Sequence, residues 1–215
     1  MDIQMLPGVG FECNSYLIRD EKSILVDVGS EGRADELKGF VTDHLGGKNI
    51  DKIVLTHTHY DHAGGARRMQ DLTGAKILVH PAEGERLSSG DNTLTLEDMF
   101  GERMRKFEWS PIDEGSRIET GTGVFEVMHL PGHSIGSIGL WEESSRSLIV
   151  GDTVFSDGGI GRYDLPSGDF RTLVSSIERL SKMEIENLYP GHGGAVFGDG
   201  SEHVRMSLGL VRSVM

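Results

Sequence analysis

Three histidines and an aspartate fall within six residues in the stretch His57-Thr-His59-Tyr-Asp61-His62. Neutral imidazoles and carboxylates are the donors that a borderline divalent metal such as zinc takes as ligands. His57 and His59 stand two apart, so an extended turn can swing both to one side. Asp61 and His62 follow where the chain turns into a helix, and they address a second point. Four donors so close together imply two metal sites rather than one. A histidine-rich polar loop is the weaker reading, because the whole chain holds only 9 histidines in 215 residues.

The same device recurs downstream. His133 lies in Leu130-Pro-Gly-His133-Ser-Ile-Gly-Ser137, Asp152 in Val150-Gly-Asp152-Thr-Val-Phe155, and His192 in Asn187-Leu-Tyr-Pro-Gly-His192-Gly-Gly194. Seven donors are one short of two four-coordinate sites, and a carboxylate bridging both ions makes up the count. Asp152 is the natural bridge, because the remaining donors divide into His57, His59 and His133 for one ion and Asp61, His62 and His192 for the other.

The elements that must position these residues read as alternating strands and helices. Ile53-Val54-Leu55 is a short aliphatic run, a buried strand ending where the ligands begin. Ser15–Arg19 and Ser23–Val28 read as strands joined by a polar turn, with Asp27 at the end of the second. An acid in an apolar strand is costly without partners, so Asp27 is a candidate support for the ligands. Thr56 is a second. Helices are expected over Arg33–Leu45, from Ala63 to about Leu72, over Asp169–Lys182 and over Ser201–Val214. Further strands are expected at Ala75–Val79, Gly123–His129, Ser137–Trp141 and Arg146–Val150. Residues 81–115 form a polar excursion with a helix-like piece at Leu96–Lys106, expected as a lid, a binding loop, a subunit contact of a homodimer, or a plain surface helix. His80 reads as a loop residue, His44 and His203 as solvated or capping groups, and His129 as core packing. Both halves end strands in ligand-bearing loops, which suggests two similar α/β halves sharing one cleft.

Composition narrows the class. The 30 glycines are about twice the usual share and indicate many tight turns in an ordered chain. The net charge of −13 repels phosphate backbones, so nucleic acid is not the expected partner and a small-molecule substrate is. Cys13 is the single cysteine, which excludes an internal disulfide and suits a reducing cytoplasm. No basic leader with an apolar segment opens the sequence, and no apolar run approaches membrane-spanning length, so a cytoplasmic, non-membrane protein is expected.

The full constellation resembles the metallo-β-lactamase superfamily. Its early strand-end Asp, His-x-His-x-Asp-His, later His, bridging Asp and last His are matched at Asp27, at 57–62, and at His133, Asp152 and His192, over nearly the whole chain. The resemblance implies an α/β fold, the four-layer αββα sandwich, as a single hydrolase domain over 1–215 with its metals at one edge between the sheets. The loops Pro131–Ser137, Gly151–Phe155 and Gly161–Asp169 are most similar to the glyoxalase II-like, or hydroxyacylglutathione hydrolase-like, branch. Members of that branch carry a helical C-terminal domain that helps to hold glutathione. After His192 this sequence has room for one helix, which moves the expected substrates away from glutathione conjugates.

The implied chemistry is hydrolysis of small thioesters or related esters through a metal-bridging hydroxide, with two divalent ions, zinc foremost and iron next. Asp61, Asp152 and Tyr163 are the residues expected at the reaction itself, Tyr163 toward the substrate oxyanion. Two rivals share the machinery: a persulfide dioxygenase with a single iron held by residues matching His57, His133 and Asp152, and a lactonase.

Overall fold

The computed structural model describes residues 1–214. The first sheet runs in chain order through β1 (Asp2–Leu6), β2 (Ser15–Arg19), β3 (Ile24–Val26), β4 (Lys52–Val54), β5 (Lys76–Val79) and β6 (Trp109–Pro111). The second comprises β7 (Arg117–Glu119), β8 (Val124–His129), β9 (Ile138–Glu142), β10 (Ser147–Gly151), β11 (Asn187–Pro190) and β12 (Val196–Phe197), in spatial order β12-β11-β10-β9-β8-β7. On the outer face of the first sheet lie α1 (Ala34–Leu45) and α3 (Ala66–Thr73), with the single-turn α2 (Tyr60–Ala63) carrying ligands between β4 and α3. On the outer face of the second lie α6 (Phe170–Leu180) and α7 (Gly200–Ser213).

Alternation along the strands builds these four layers. In β2, Tyr16 and Ile18 face the second sheet while Leu17 faces the helices; in β3, Ile24 and Val26 face inward and Leu25 outward. Because both faces of the central strands are covered, they read as continuous apolar runs rather than half-polar ones. Phe125, Val127, Ile138, Leu140 and Ile149 answer from the second sheet, and Phe125 is fully buried in that seam.

Direction decides where the loops meet. β3, β4 and β5 are parallel, as are β10 and β11, so their carboxyl ends open on one edge. Ligands in open α/β sheets gather at such ends. The two sheets are stitched together there: Ile138 N–H donates to the Thr56 carbonyl at 2.9 Å, and Asn14 N–H to the Gly191 carbonyl at 2.6 Å.

The excursion at 81–115 is woven into the fold. It contains α4 (Pro81–Ser89) and α5 (Glu97–Phe100) before β6 pairs in parallel with β5. The helix expected over Leu96–Lys106 stops at Phe100, because Gly101 takes a left-handed conformation (φ 67°) that ends it. Beyond that point Met104 and Phe107 pack against the core beneath α1 and α3 instead of along a helix face. His80 is more than a loop residue: it caps α4, accepting from Ala82 N–H at 3.3 Å, and stacks on His129 with ring centroids 4.2 Å apart.

Phe125→Ala should therefore lower unfolding stability by about 3–5 kcal/mol through loss of buried area and the cavity left behind. A denaturant titration that showed a change below about 1 kcal/mol would mean that the inter-sheet seam is not the core described.

Candidate metal centre

Each donor arrives from the end of a strand. Leu55 and Thr56 continue β4 to His57, and His59 ends the turn before α2, which carries Asp61 and His62. His133 follows β8, Asp152 follows β10 and His192 follows β11. All six other than His192 are buried or nearly so, and His192 and Asp61 are the most exposed of the seven, at 30% and 15% side-chain exposure.

Two sets form. His57 Nε2 lies 3.1 Å from His59 Nδ1, which lies 2.9 Å from His133 Nε2. His62 Nε2 lies 3.2 Å from His192 Nε2, and Asp61 Oδ2 is 3.1 Å from that same nitrogen. Asp152 reaches both sets, with Oδ2 3.6 Å from His133 Nε2 and 3.4 Å from His192 Nε2, and Oδ1 3.3 Å from His62 Nε2. Four tetrahedral bonds of about 2.0–2.1 Å place donors about 3.3 Å apart, so the spacing matches ligands gathered around ions.

The protons of the imidazoles are directed outward. Asp27 accepts from the Thr56 N–H and from the Thr56 hydroxyl, both at 2.7 Å. With its own proton committed, the Thr56 hydroxyl accepts from His57 Nδ1–H at 3.1 Å. His62 Nδ1–H donates to Asp27 Oδ2 at 2.8 Å, and His133 Nδ1–H to the Arg162 carbonyl at 2.7 Å. The inward nitrogens of His57, His62 and His133 are thereby left as bare lone pairs, the tautomers that ligate metals. Asp152 Oδ1 has no hydrogen-bond partner although it is buried. Lone pairs facing one another at 3 Å repel unless a cation lies among them, so this donor set fits a pair of divalent ions.

Electrostatics agree. Burial, reinforced by the neighbouring imidazoles, holds His57 well below the ordinary imidazole value and His59 down to about 3, so both are neutral at physiological pH. Burial would raise the Asp152 carboxyl, but His62 and the hydrogen bond from His192 hold it well below the usual range. His192 is raised to about 9: burial opposes its charge and is outweighed by hydrogen bonds to Asp152 and Asp61. His62 is also raised well above the ordinary value, burial being outweighed by Cys13 and the carboxylates of Asp152, Asp61 and Asp27. Without metal the second set attracts protons, and metal ions would displace them and free the inward nitrogens as lone pairs.

Close approach depends on glycine at 191, where a Cβ would lie 2.0 Å from Asp152 Oδ1 and 2.8 Å from His62 Cε1. Asp27 takes the left-handed conformation (φ 56°), an uncommon backbone state that puts its carboxylate beneath two ligands at once.

All seven nominated donors come together. Tyr163 follows Arg162, whose carbonyl holds His133; its ring packs on Phe170, centroids 4.7 Å apart, and is 39% exposed. Two supporting residues escaped sequence reasoning. Asn14 donates to the Pro190 and Gly193 carbonyls, at 3.0 and 2.9 Å, and so braces the His192 loop. Glu83, 1% exposed on α4, accepts from the Ser134 hydroxyl and from Gly136 N–H at 3.1 Å, and so braces the His133 loop. A buried acid was the available signal for Glu83, but its partner Ser134 is distant in sequence.

Asp27→Ala should weaken metal binding by about 10–100-fold while leaving all seven donors in place. Competition with a chelator measures it; unchanged affinity would show that the outward hydrogen bonds do not set the ligand tautomers.

The sequence model described as "Metallo-beta-lactamase superfamily" matches residues 8–192. The chain is 36% identical over 196 residues to a probable metallo-hydrolase of Methanocaldococcus jannaschii, covering 89% of this chain and 92% of that one. It is 31% identical over 206 residues to the hydroxyacylglutathione hydrolase GloC of Haemophilus influenzae, covering 90% and 91%. Among solved structures it is similar to TTHA1623, crystallised in a di-iron-bound form, with a TM-score of 0.75, 28% identity and 96% of each chain covered. With these matches and the αββα layering, the chain belongs to the metallo-β-lactamase superfamily, in company with its glyoxalase II-like metallo-hydrolases.

Proposed function

We propose that this protein is a binuclear metal-dependent hydrolase of small thioesters or related esters. The observation that carries the proposal is the pair of donor sets joined by the Asp152 carboxylate. His57, His59 and His133 would hold one ion, Asp61, His62 and His192 the other, and Asp152 both. Bound there, two divalent ions supply Lewis acidity toward an acyl carbonyl and a water acidic enough to act as a nucleophile near neutral pH.

The rest of the work belongs to the chain. Asp27, Thr56 and the Arg162 carbonyl hold three imidazoles in the ligating tautomer. Asp61 and His192 are the most exposed of the donors, which supports approach of the substrate over the second set. Tyr163 follows Arg162 in the loop beside His133, and its role is toward the substrate oxyanion.

The choice of thioesters rests on the leaving group. The cluster's carboxylates and imidazoles are all taken as ligands or supports, and Cys13, raised by burial, is a poor proton donor. A thiolate with a pKa of about 8.5 departs without a general acid, whereas an amide nitrogen does not. The hydroxyacylglutathione hydrolase named above supports this substrate class. Zinc suits the donors, and the di-iron form of the similar structure supports iron as the alternative. A single-iron persulfide dioxygenase would leave Asp61, His62 and His192 without a metal to share, yet His192 Nε2 lies 3.1 Å from Asp61 and 3.2 Å from His62. A lactonase would use the same machinery.

Metal-replete protein should contain close to two ions per chain and hydrolyse thioesters faster than lactones, without consuming oxygen when offered persulfides. One iron per chain with oxygen uptake would establish the dioxygenase instead. Asp152→Ala should cost more than the about 10–100-fold typical of residues that only support ligands, and should lower metal content with it. Near-normal turnover and metal content in that variant would exclude the bridge.

A further inference from the structure

A groove of about 490 Å³ runs between the excursion and the loop ahead of α6. Its size is within the roughly 300–1,000 Å³ of small-molecule sites. Leu96 and Met99 form one wall and Pro166 the other, with Asn92 and Thr93 at one end. Met99 is 64% exposed and, with Leu96 and Pro166, gives the groove its apolar surface.

Both walls are tied to the ligand loops. The Thr95 carbonyl accepts from Tyr60 N–H at 2.7 Å, and Tyr60 stands between His59 and Asp61. Its ring lies 5.5 Å from that of Phe100, at the end of the same wall. Opposite, Ser167 Oγ accepts from Ile135 N–H at 3.2 Å, two residues past His133. The groove's walls are therefore hydrogen-bonded to the backbone beside His59 and Asp61 on one side and just past His133 on the other.

The walls are also held in costly conformations. Leu96 (φ 57°) and Ser167 (φ 66°) take left-handed backbone states that side-chain-bearing residues seldom adopt. Glu97, 6% exposed, fastens the first wall: Asn92 Nδ2 donates to its Oε1 at 3.2 Å and Met104 N–H to its Oε2 at 2.7 Å. Asp98 is its neighbour along the groove. Arg103 approaches both carboxylates, so one positive charge faces two negative ones. An anionic tail is disfavoured there, and an uncharged apolar one is accommodated.

We propose that this groove is the subsite for the acyl chain of the substrate, and that the enzyme prefers uncharged aliphatic acyl groups of several carbons. The inference rests on the thioesterase reading and names its substrate class. Hydrolysis adds water across the acyl–sulfur bond, breaking it and giving a carboxylate, a proton and a free thiol.

The test uses N-acetylcysteamine thioesters from acetyl to octanoyl with metal-loaded, full-length protein. kcat/KM should rise about two- to fourfold per added methylene over the first few carbons, and glutaryl should be a poorer substrate than pentanoyl. Met99→Glu should flatten the series at unchanged metal content, whereas Leu210→Glu, on the exposed face of α7, should leave it intact. In parallel, S-octyl-N-acetylcysteamine, a thioether that cannot be hydrolysed, should shift the methyl resonance of Met99 in protein labelled at its methionine methyls. Thioester turnover without chain-length dependence would overturn the groove while leaving the hydrolase reading intact. No thioester turnover, with a saturable Met99 shift, would overturn the hydrolase reading and retain the groove as an apolar binding site. An unmoved Met99 resonance, or Met99 buried between two copies of the chain in solution, would overturn the subsite.

Discussion

Everything at this edge of the fold follows from where three protons go. His57, His62 and His133 each surrender their outward N–H to a fixed acceptor: the Thr56 hydroxyl, Asp27 and the Arg162 carbonyl. What remains inward is a cluster of lone pairs and two carboxylates whose mutual repulsion only positive charge relieves. Asp27 is the hub, since one carboxylate sets His62 directly and His57 through Thr56. Its left-handed backbone is the local cost of reaching both.

The sheets make that hub possible. Parallel β3 and β4 put Asp27 beside Thr56, and parallel β10 and β11 put Asp152 beside the His192 loop. Hydrogen bonds from Ile138 and Asn14 then close one sheet edge on the other, so donors from four separated stretches share one space. Rigid packing behind each loop matters because a displacement of a few tenths of an ångström would undo the match to metal-ligand distances. Glu83 and Asn14 act on this level, bracing the His133 and His192 loops without approaching the centre themselves.

Much of this was legible in the sequence. The aliphatic run before His57 and the dense donor cluster after it identified both the strand and its purpose, and Asp27 stood out as an acid where none should be free. The bounds of β2 were read directly, because its apolar run is framed by polar residues. Other features depend on partners far away. β6 is Trp-Ser-Pro, with no alternation to read, and exists by pairing with β5. Only the first turn of the helix expected over Leu96–Lys106 forms, since Gly101 ends it in a left-handed conformation and Met104 and Phe107 pack against the core instead. α4 carried a readable signal in Pro81 at its first turn, with His80 as cap.

Two ions sharing Asp152 should be visible by anomalous diffraction from crystals of metal-replete protein as two peaks, one among His57, His59 and His133, the other among Asp61, His62 and His192, with the Asp152 carboxylate between them. A single peak, with Asp61 and His62 coordinating nothing, would contradict the shared bridge.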